Sequence, residues 1–302
     1  MIKEYAVDPN AYTRNLDSLQ RFFIDFRAEN GRVVAAIPRN WQREQQNLIR
    51  AMGLQTIQKQ KCFDEISKIV KHSLISGTTI PTELDGWIEQ ARYVKQQLGL
   101  EAIITCVDDF PNGEFDYSNI LFVNPSNWNI ENSISVRRQA IDMANAISSS
   151  LSIAEVCMFV DPYFDPGKDR FKNVLIEFIT KLSNGRRRCR KAYLHTAIHR
   201  DAIDKNRTRT DIENALQQNI QPLLPEGFVL ETWFWPENKM HDRFVLTKQV
   251  GYSFGHGLDE AASRDAIQVN INRIAETARE TEYRKLSNSA LRTGDPIVII
   301  GE

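Results

Sequence analysis

The chain has 302 residues, 42% hydrophobic and 25% charged, with 38 Lys and Arg against 39 Asp and Glu for a formal charge of −1. That balance excludes a uniformly basic nucleic-acid coat and an acidic disordered tail, while leaving room for a local basic patch. No apolar run reaches the roughly 18 residues of a membrane span, and the start MIKEYAVDPN lacks the charged-then-apolar pattern of a secretion signal, so a soluble, cytoplasmic protein without a membrane partner is expected.

Strand-length apolar runs alternate with stretches of helical period, which predicts an α/β fold, a mixed sheet flanked by helices. The first helix is predicted over 11–29, with Leu16, Leu19, Phe22, Phe23 and Phe26 on one face and Asn30-Gly31 as its stop. A strand follows at 32–37, ended by Pro38, and 41–75 reads mainly as helix. Pro81 opens another helix carrying Trp87, Ala91, Val94 and Leu98, which Gly99 ends. A strand at 102–107, a loop at 108–117 and a short strand at 120–123 lead to Asn124-Pro125.

The second half begins with a helix at 136–150 and a strand at 155–160 that ends in DPYFDP. A helix at 169–183, a strand at 191–198, a helix at 211–223 and a strand at 228–235 follow. A hairpin spans 241–255, and the last strand is 297–300. The Asn/Ser/Pro-rich stretch NPSNWNIENS predicts a boundary near 125–135, dividing the chain into 1–130 and 131–302. Cys62, Cys106, Cys157 and Cys189 form no CxxC pair and do not make a disulfide scaffold; Cys106 and Cys157, in apolar strand-like runs, are expected to be buried thiols.

The segment richest in chemistry is MHDRFVLTKQVGYSFGHGLDE, residues 240–260. Strand side chains alternate, so His241 and Arg243 are expected on one side of the ribbon. An imidazole beside a fixed cation suits attack on a phosphodiester: the imidazole takes the phosphoryl group and the guanidinium neutralises the non-bridging oxygens. His256, between two glycines, reads either as a second acid–base group or a phosphate ligand, or as a turn residue facing solvent.

This segment resembles the phospholipase D superfamily, whose signature is H-x-K-x4-D-x6-G-S-x-N. With His241 on the family's His, Arg243 falls on its Lys, Lys248 on its Asp, Gly255 on its Gly, His256 on its Ser and Leu258 on its Asn. Spacing is kept, His and Gly match, Lys has become Arg, and Asp, Ser and Asn are lost; Asp259 stands one place past the lost Asn. The helix–strand–DPYFDP context extends the resemblance over about 135–302, so a phospholipase D-like unit is expected in the C-terminal half. The N-terminal region begins with a similar helix–strand–Pro pattern, LQRFFIDFRAENGRVVAAIPRNW, and reads as a degenerate repeat without an HxK hairpin. The resemblance implies a phosphodiesterase that needs neither metal nor cofactor and works through a phosphohistidine. Because the chain carries one HxK-type motif, it also implies a homodimer with a shared site.

Other residues have two readings each. Asp161 and Asp165 flank a turn at a strand's carboxyl end, either supporting the site or holding the turn and capping the next helix. Asp259 and Glu260 are solvated turn residues or orient His241. Between 186 and 209 stand nine basic residues (Arg186, Arg187, Arg188, Arg190, Lys191, Arg200, Lys205, Arg207 and Arg209) against Asp201 and Asp204, a concentration that suits a phosphate backbone or a solvated helix end. His195 is expected to be structural, and His199 is a site candidate. Trp233 and Trp235 share a face and suit core packing or an interface better than base stacking.

The resulting expectation is a nuclease-like phosphodiesterase on DNA or RNA, suited to phage defence. His241 would be nucleophile and Arg243 the phosphate clamp, with His256 or a second chain's His241 as proton donor. The alternative is an inactive nucleic-acid-binding or assembly subunit with protein partners in a larger complex. A phospholipase ranks last, since nothing apart from the Arg-rich run suits a membrane surface.

Overall fold

The structure, a computed structural model, describes residues 1–77, 79–197, 208–262 and 267–302. The chain forms two units, residues 2–131 and residues 132–302 together with Met1.

In the N-terminal unit, β1 (Lys3–Val7), β2 (Arg32–Ala35), β3 (Leu74–Ile75), β4 (Ala102–Thr105) and β5 (Glu114–Asp116) lie in the order β3-β2-β1-β4-β5, every pair parallel. Parallel neighbours require crossovers. Here these contain α1 (Pro9–Tyr12), α2 (Leu16–Asp25), α3 (Trp41–Ala51), α4 (Thr56–His72) and α5 (Trp87–Leu98). Leu19, Phe22, Trp41, Ile49, Ile66 and Ile69 of α2–α4 share one apolar core, and Ala91 and Val94 of α5 belong to a second.

The predicted helix at 11–29 is broken where side chains cap it twice. Asp8 accepts from the amide of Asn10 at the start of α1, and Asn15 accepts from Ser18 to start α2 afresh. Tyr12 then stacks on Phe22 at 3.8 Å and donates its hydroxyl to the buried Gln45. Three strands differ from the expectation: β1 carries two charged residues in five, β3 occupies the last two residues of the predicted 41–75 helix, and β5 has three residues inside the predicted loop. Pro81 does not open a helix; α5 begins at Trp87, after Gly86. The predicted strand at 120–123 is instead a short helix, α6 (Ile120–Val123), which turns Ile120 inward and leaves Phe122 91% exposed.

In the C-terminal unit the sheet has eight strands: β6 (Ser133–Arg137), β7 (Cys157–Val160), β8 (Lys191–Ala197), β9 (Val229–Trp235), β10 (Phe244–Thr247), β11 (Gly251–Phe254), β12 (Gln268–Arg273) and β13 (Ile297–Ile300). Their order is β13-β9-β8-β7-β10-β11-β12-β6, with β7, β8 and β9 mutually parallel and all other pairs antiparallel. This is the mixed sheet flanked by helices. The all-parallel N-terminal sheet has a different topology, so it is not a repeat of the C-terminal unit.

The remaining helices are α7 (Ala140–Ala146), α8 (Ser148–Ser152), α9 (Asp169–Ser183), α10 (Arg209–Asn219) and α11 (Glu276–Ser287). On one face of the sheet Phe159 stacks on Phe178 of α9 at 5.7 Å, and Phe178 also meets Phe254. On the other, Leu286 and Tyr283 of α11 pack with Met158, Val160, Trp235 and Leu246. The predicted helix at 136–150 starts later, because SISVR alternates and pairs with β12 as β6. Strand β12 and helix α11 had no counterpart in the sequence reading. Among the described residues, no helix is long and apolar enough to cross a membrane.

Candidate functional site

Antiparallel pairing sets Phe244 of β10 against Val160 of β7, so the start of β10 lies at the carboxyl end of β7. Three segments meet there: the turn DPYFDP after β7, residues 241–243 before β10, and the loop 255–260 after β11. Asp161 joins the first to the third. It is 1% exposed, and its two carboxylate oxygens accept from the amides of Tyr163 (2.9 Å) and Leu258 (2.8 Å). Burial raises its pKa, while the two amide bonds and the positive charge of Arg243 pull the other way.

Asp259 is equally enclosed. Its Oδ1 accepts from Arg138 Nη2 at 2.5 Å, and its Oδ2 lies 3.3 Å from Arg170 Nε. Arg138 also donates to the carbonyls of Asp259 (3.1 Å) and His256 (3.3 Å), so one guanidinium ties down the loop at three points. Glu260 accepts from the amide of Ala140 (3.0 Å) and from Asn173 Nδ2 (2.8 Å), pinning the loop to α7 and α9. Asp259 is buried while Glu260 is partly exposed, and among the described residues neither hydrogen-bonds His241; both instead anchor the loop that carries His256.

Gly257 lets the loop pass between the two aspartates. Its φ is +123°, and a Cβ there would stand 2.8 Å from Asp259 Oδ1 and 3.3 Å from Asp161 Oδ2. Gly255, the glycine that matches the family signature, would meet only the carbonyl of Asn270 at 3.7 Å. The demanding glycine is therefore two residues beyond the one the spacing picks out.

At the mouth, residues 241–243 precede the strand rather than belonging to it, so strand alternation does not set the sides on which His241 and Arg243 lie. His241 and His256 are exposed and Arg243 is half-buried. Arg243 lies over the Tyr163 ring, 4.9 Å from its centre, and donates Nη1 to the carbonyl of His241 at 3.2 Å. Its buried Nε has no hydrogen-bond partner, and among the described residues no carboxylate forms an ion pair with it. The amide of Phe254 donates to the carbonyl of Arg243 (3.0 Å), extending the β10–β11 ladder by one pair; two further pairs in that register would set His256 opposite His241.

The other candidates are placed elsewhere. Asp165 accepts from the amide of Gly167 (2.9 Å) and pairs with Lys168 (3.3 Å), which is the turn-holding role. Lys248 is exposed in the turn at the far end of β10. Leu258, where the family has Asn, is buried and contributes its backbone amide to Asp161. Arg186, Arg187, Arg188 and Arg190 lead into the start of β8, whose seven residues, about 20 Å of strand, separate them from the carboxyl end where the site lies. Arg187 pairs with Glu155 (3.4 Å), Arg188 and Arg190 are exposed, and Arg209 bonds the carbonyl of Asp295 and lies over Phe234. Arg186, Arg187, Arg188 and Arg190 are thus not contiguous with the site. Arg207, with His199, Arg200 and Lys205, lies outside the described residues.

His195 is structural. It is fully buried, its Nδ1 accepts from Trp235 Nε1–H at 3.0 Å, and burial, reinforced by the charge of Arg292, pushes its pKa down to about 3. Folded, it stays neutral down to about 3; unfolded, it protonates below its ordinary 6.5. Its contribution is therefore complete above about pH 6.5 and falls away as pH drops toward 3, by about 2 kcal/mol at pH 5. Denaturation of wild type and His195→Gln at pH 7 and pH 5 checks this. The amide can still accept from Trp235 but does not titrate, so the variant should lose about 2 kcal/mol less between the two; equal losses would exonerate His195.

No family model matches the chain, and no curated protein matches it. Among solved structures it is similar to TrmBL2, described as an archaeal chromatin protein whose structure shows a novel mode of DNA binding, at 11% identity and a TM-score of 0.26. The match covers 56% of this chain and 55% of that one, so the chain spans about half the length of the structure it matches. A likeness at that score does not define a common fold.

Proposed function

We propose that the C-terminal unit is phospholipase D-like and grips a phosphodiester of DNA or RNA with Arg243, placing the phosphorus before His241. The observation that carries this reading is the half-buried guanidinium of Arg243, which among the described residues no carboxylate pairs, between the exposed His241 two residues before it and the loop after β11 that carries the exposed His256. An anion arriving there finds a charge-assisted donor, its Nε shielded from water, which is where such bonds are strongest. In the proposed reaction an imidazole nitrogen of His241 bonds to phosphorus as the P–O ester bond breaks. The departing oxygen takes a proton from the imidazolium of His256, and water then releases the phosphoryl group from His241, giving its proton to His256.

A second reading has its own support. Asp259 is committed to Arg138 and Arg170, and among the described residues no carboxylate hydrogen-bonds His241 to orient it. A site that holds a phosphate without cleaving it fits that arrangement.

Incubation of the full chain with DNA and with RNA in EDTA separates the two. Cleavage that His241→Ala lowers at least about 100-fold, with Arg243→Ala weakening it comparably, supports the enzyme. Salt-sensitive binding that Arg243→Ala weakens, with no cleavage, supports the binding subunit. Binding and cleavage indifferent to both substitutions would sink the site.

A further inference from the structure

The two edges of the eight-stranded sheet differ in a way that bears on self-association. At one edge, β6 pairs only with β12. The amide of Arg138 donates to Ile267 (2.7 Å) and that of Arg273 to Asn132 (2.8 Å), which fixes the parity of the ladder. Ser133, Ser135 and Arg137 therefore turn their backbone groups outward, and their side chains are exposed. An arginine and two short hydroxyl residues are what a blunted edge carries.

At the other edge, β13 pairs only with β9. Here Gly301 donates to Phe228 (3.0 Å), so by the same alternation Ile297 and Ile299 bond inward. The N–H and C=O of Val298 and Ile300 point away from the sheet, and among the described residues no backbone group bonds them. The strand reads IVII, without charge, proline or bulge. Ile297 and Ile299 are buried, while Val298 and Ile300 are 49% and 50% exposed. Outward backbone and exposed β-branched side chains thus fall on the same two residues.

We propose that β13 is the seam of a homodimer in which two copies of the chain pair their β13 strands antiparallel about a two-fold axis at Ile299. The spacing is self-complementary: Val298 of each copy faces Ile300 of the other, both as outward-bonding pairs. The seam forms four backbone hydrogen bonds, joins two eight-stranded sheets into one and brings four β-branched side chains together on one face. The inference goes beyond the proposed reaction and stands without it. It places β10 of one copy four strand spacings from the seam, with one spacing across and four more to β10 of the other. The two His241 residues then lie on the order of 40 Å apart, so each copy works its own site and the shared-site dimer implied by the family resemblance does not form.

Sedimentation equilibrium on the full chain at micromolar concentration tests this. Wild type should weigh twice 34.8 kDa. Val298→Pro, which removes only an outward N–H, and Ile300→Lys, which puts a charge in the seam, should each sediment as one chain with an unchanged circular dichroism spectrum. Ser135→Lys on the other edge should remain dimeric. Spin labels on Asp242→Cys should read on the order of 40 Å. A monomeric wild type, a dimer that survives both β13 substitutions, or a label separation below about 20 Å would overturn the seam, whatever the outcome of the cleavage assay.

Discussion

Arg138→Met is expected to destabilise the C-terminal unit by about 3 kcal/mol, near the lower end of what stripping one partner from a buried ion pair costs. Arg138 and Asp259 are 6% and 3% exposed, so the loss of the guanidinium leaves an enclosed carboxylate whose one remaining ion-pair partner among the described residues is Arg170, at 3.3 Å. The carbonyls of Asp259 and His256 lose their donor at the same time. For a unit of this size the midpoint of thermal unfolding should fall by roughly 6–12 °C. The double variant Arg138→Met/Asp259→Leu should recover most of that, because removing both charges removes the unpaired one. Thermal denaturation of the two singles and the double completes a cycle; a single variant that costs under about 1 kcal/mol would show that the pair is not the loop's anchor.

Gly257→Ala is expected to cost about 3 kcal/mol and to lower whatever phosphate binding or cleavage the site performs, whereas Gly255→Ala should cost under about 1 kcal/mol. At φ +123° a side chain is strained before any contact is counted. The contact is also severe, since the Asp259 oxygen 2.8 Å away is held by Arg138 and cannot swing aside. The loop would have to move, carrying His256 with it. Chemical denaturation of both variants reads the contrast. Equal effects at 255 and 257 would mean that the two aspartates yield more easily than their hydrogen bonds imply.

Much of the C-terminal unit is legible in the residues. The helix at 169–183, the strands near 157–160, 191–197, 229–235 and 297–300, and the 244–254 hairpin follow apolar periodicity and Gly/Pro punctuation, because each buries its side chains with little help from remote sequence. What failed locally had a local competitor or no periodic signal. Asp8 and Asn15 capped a continuous-looking helix into two. SISVR at β6 lay beside a helical pattern, and β1 hid behind Lys3 and Glu4. The apolar run at 120–123 could not declare its period in four residues.

The sequence by itself determined the α/β class, the position of the hairpin, and the closeness along the chain of His241, Arg243 and His256. Only the tertiary structure decided what surrounds them. Arg138 and Arg170 reach Asp259 from 121 and 89 residues away in sequence, and no spacing rule joins them. The same holds for Asp161 and the amide of Leu258, and for the separation of the Arg186–Arg190 loop from the site by the length of β8. The physical reason is that a buried charge is tolerated only where folding delivers its partner. Partners that meet across a sheet are fixed by strand order and register, which a single stretch of chain does not contain.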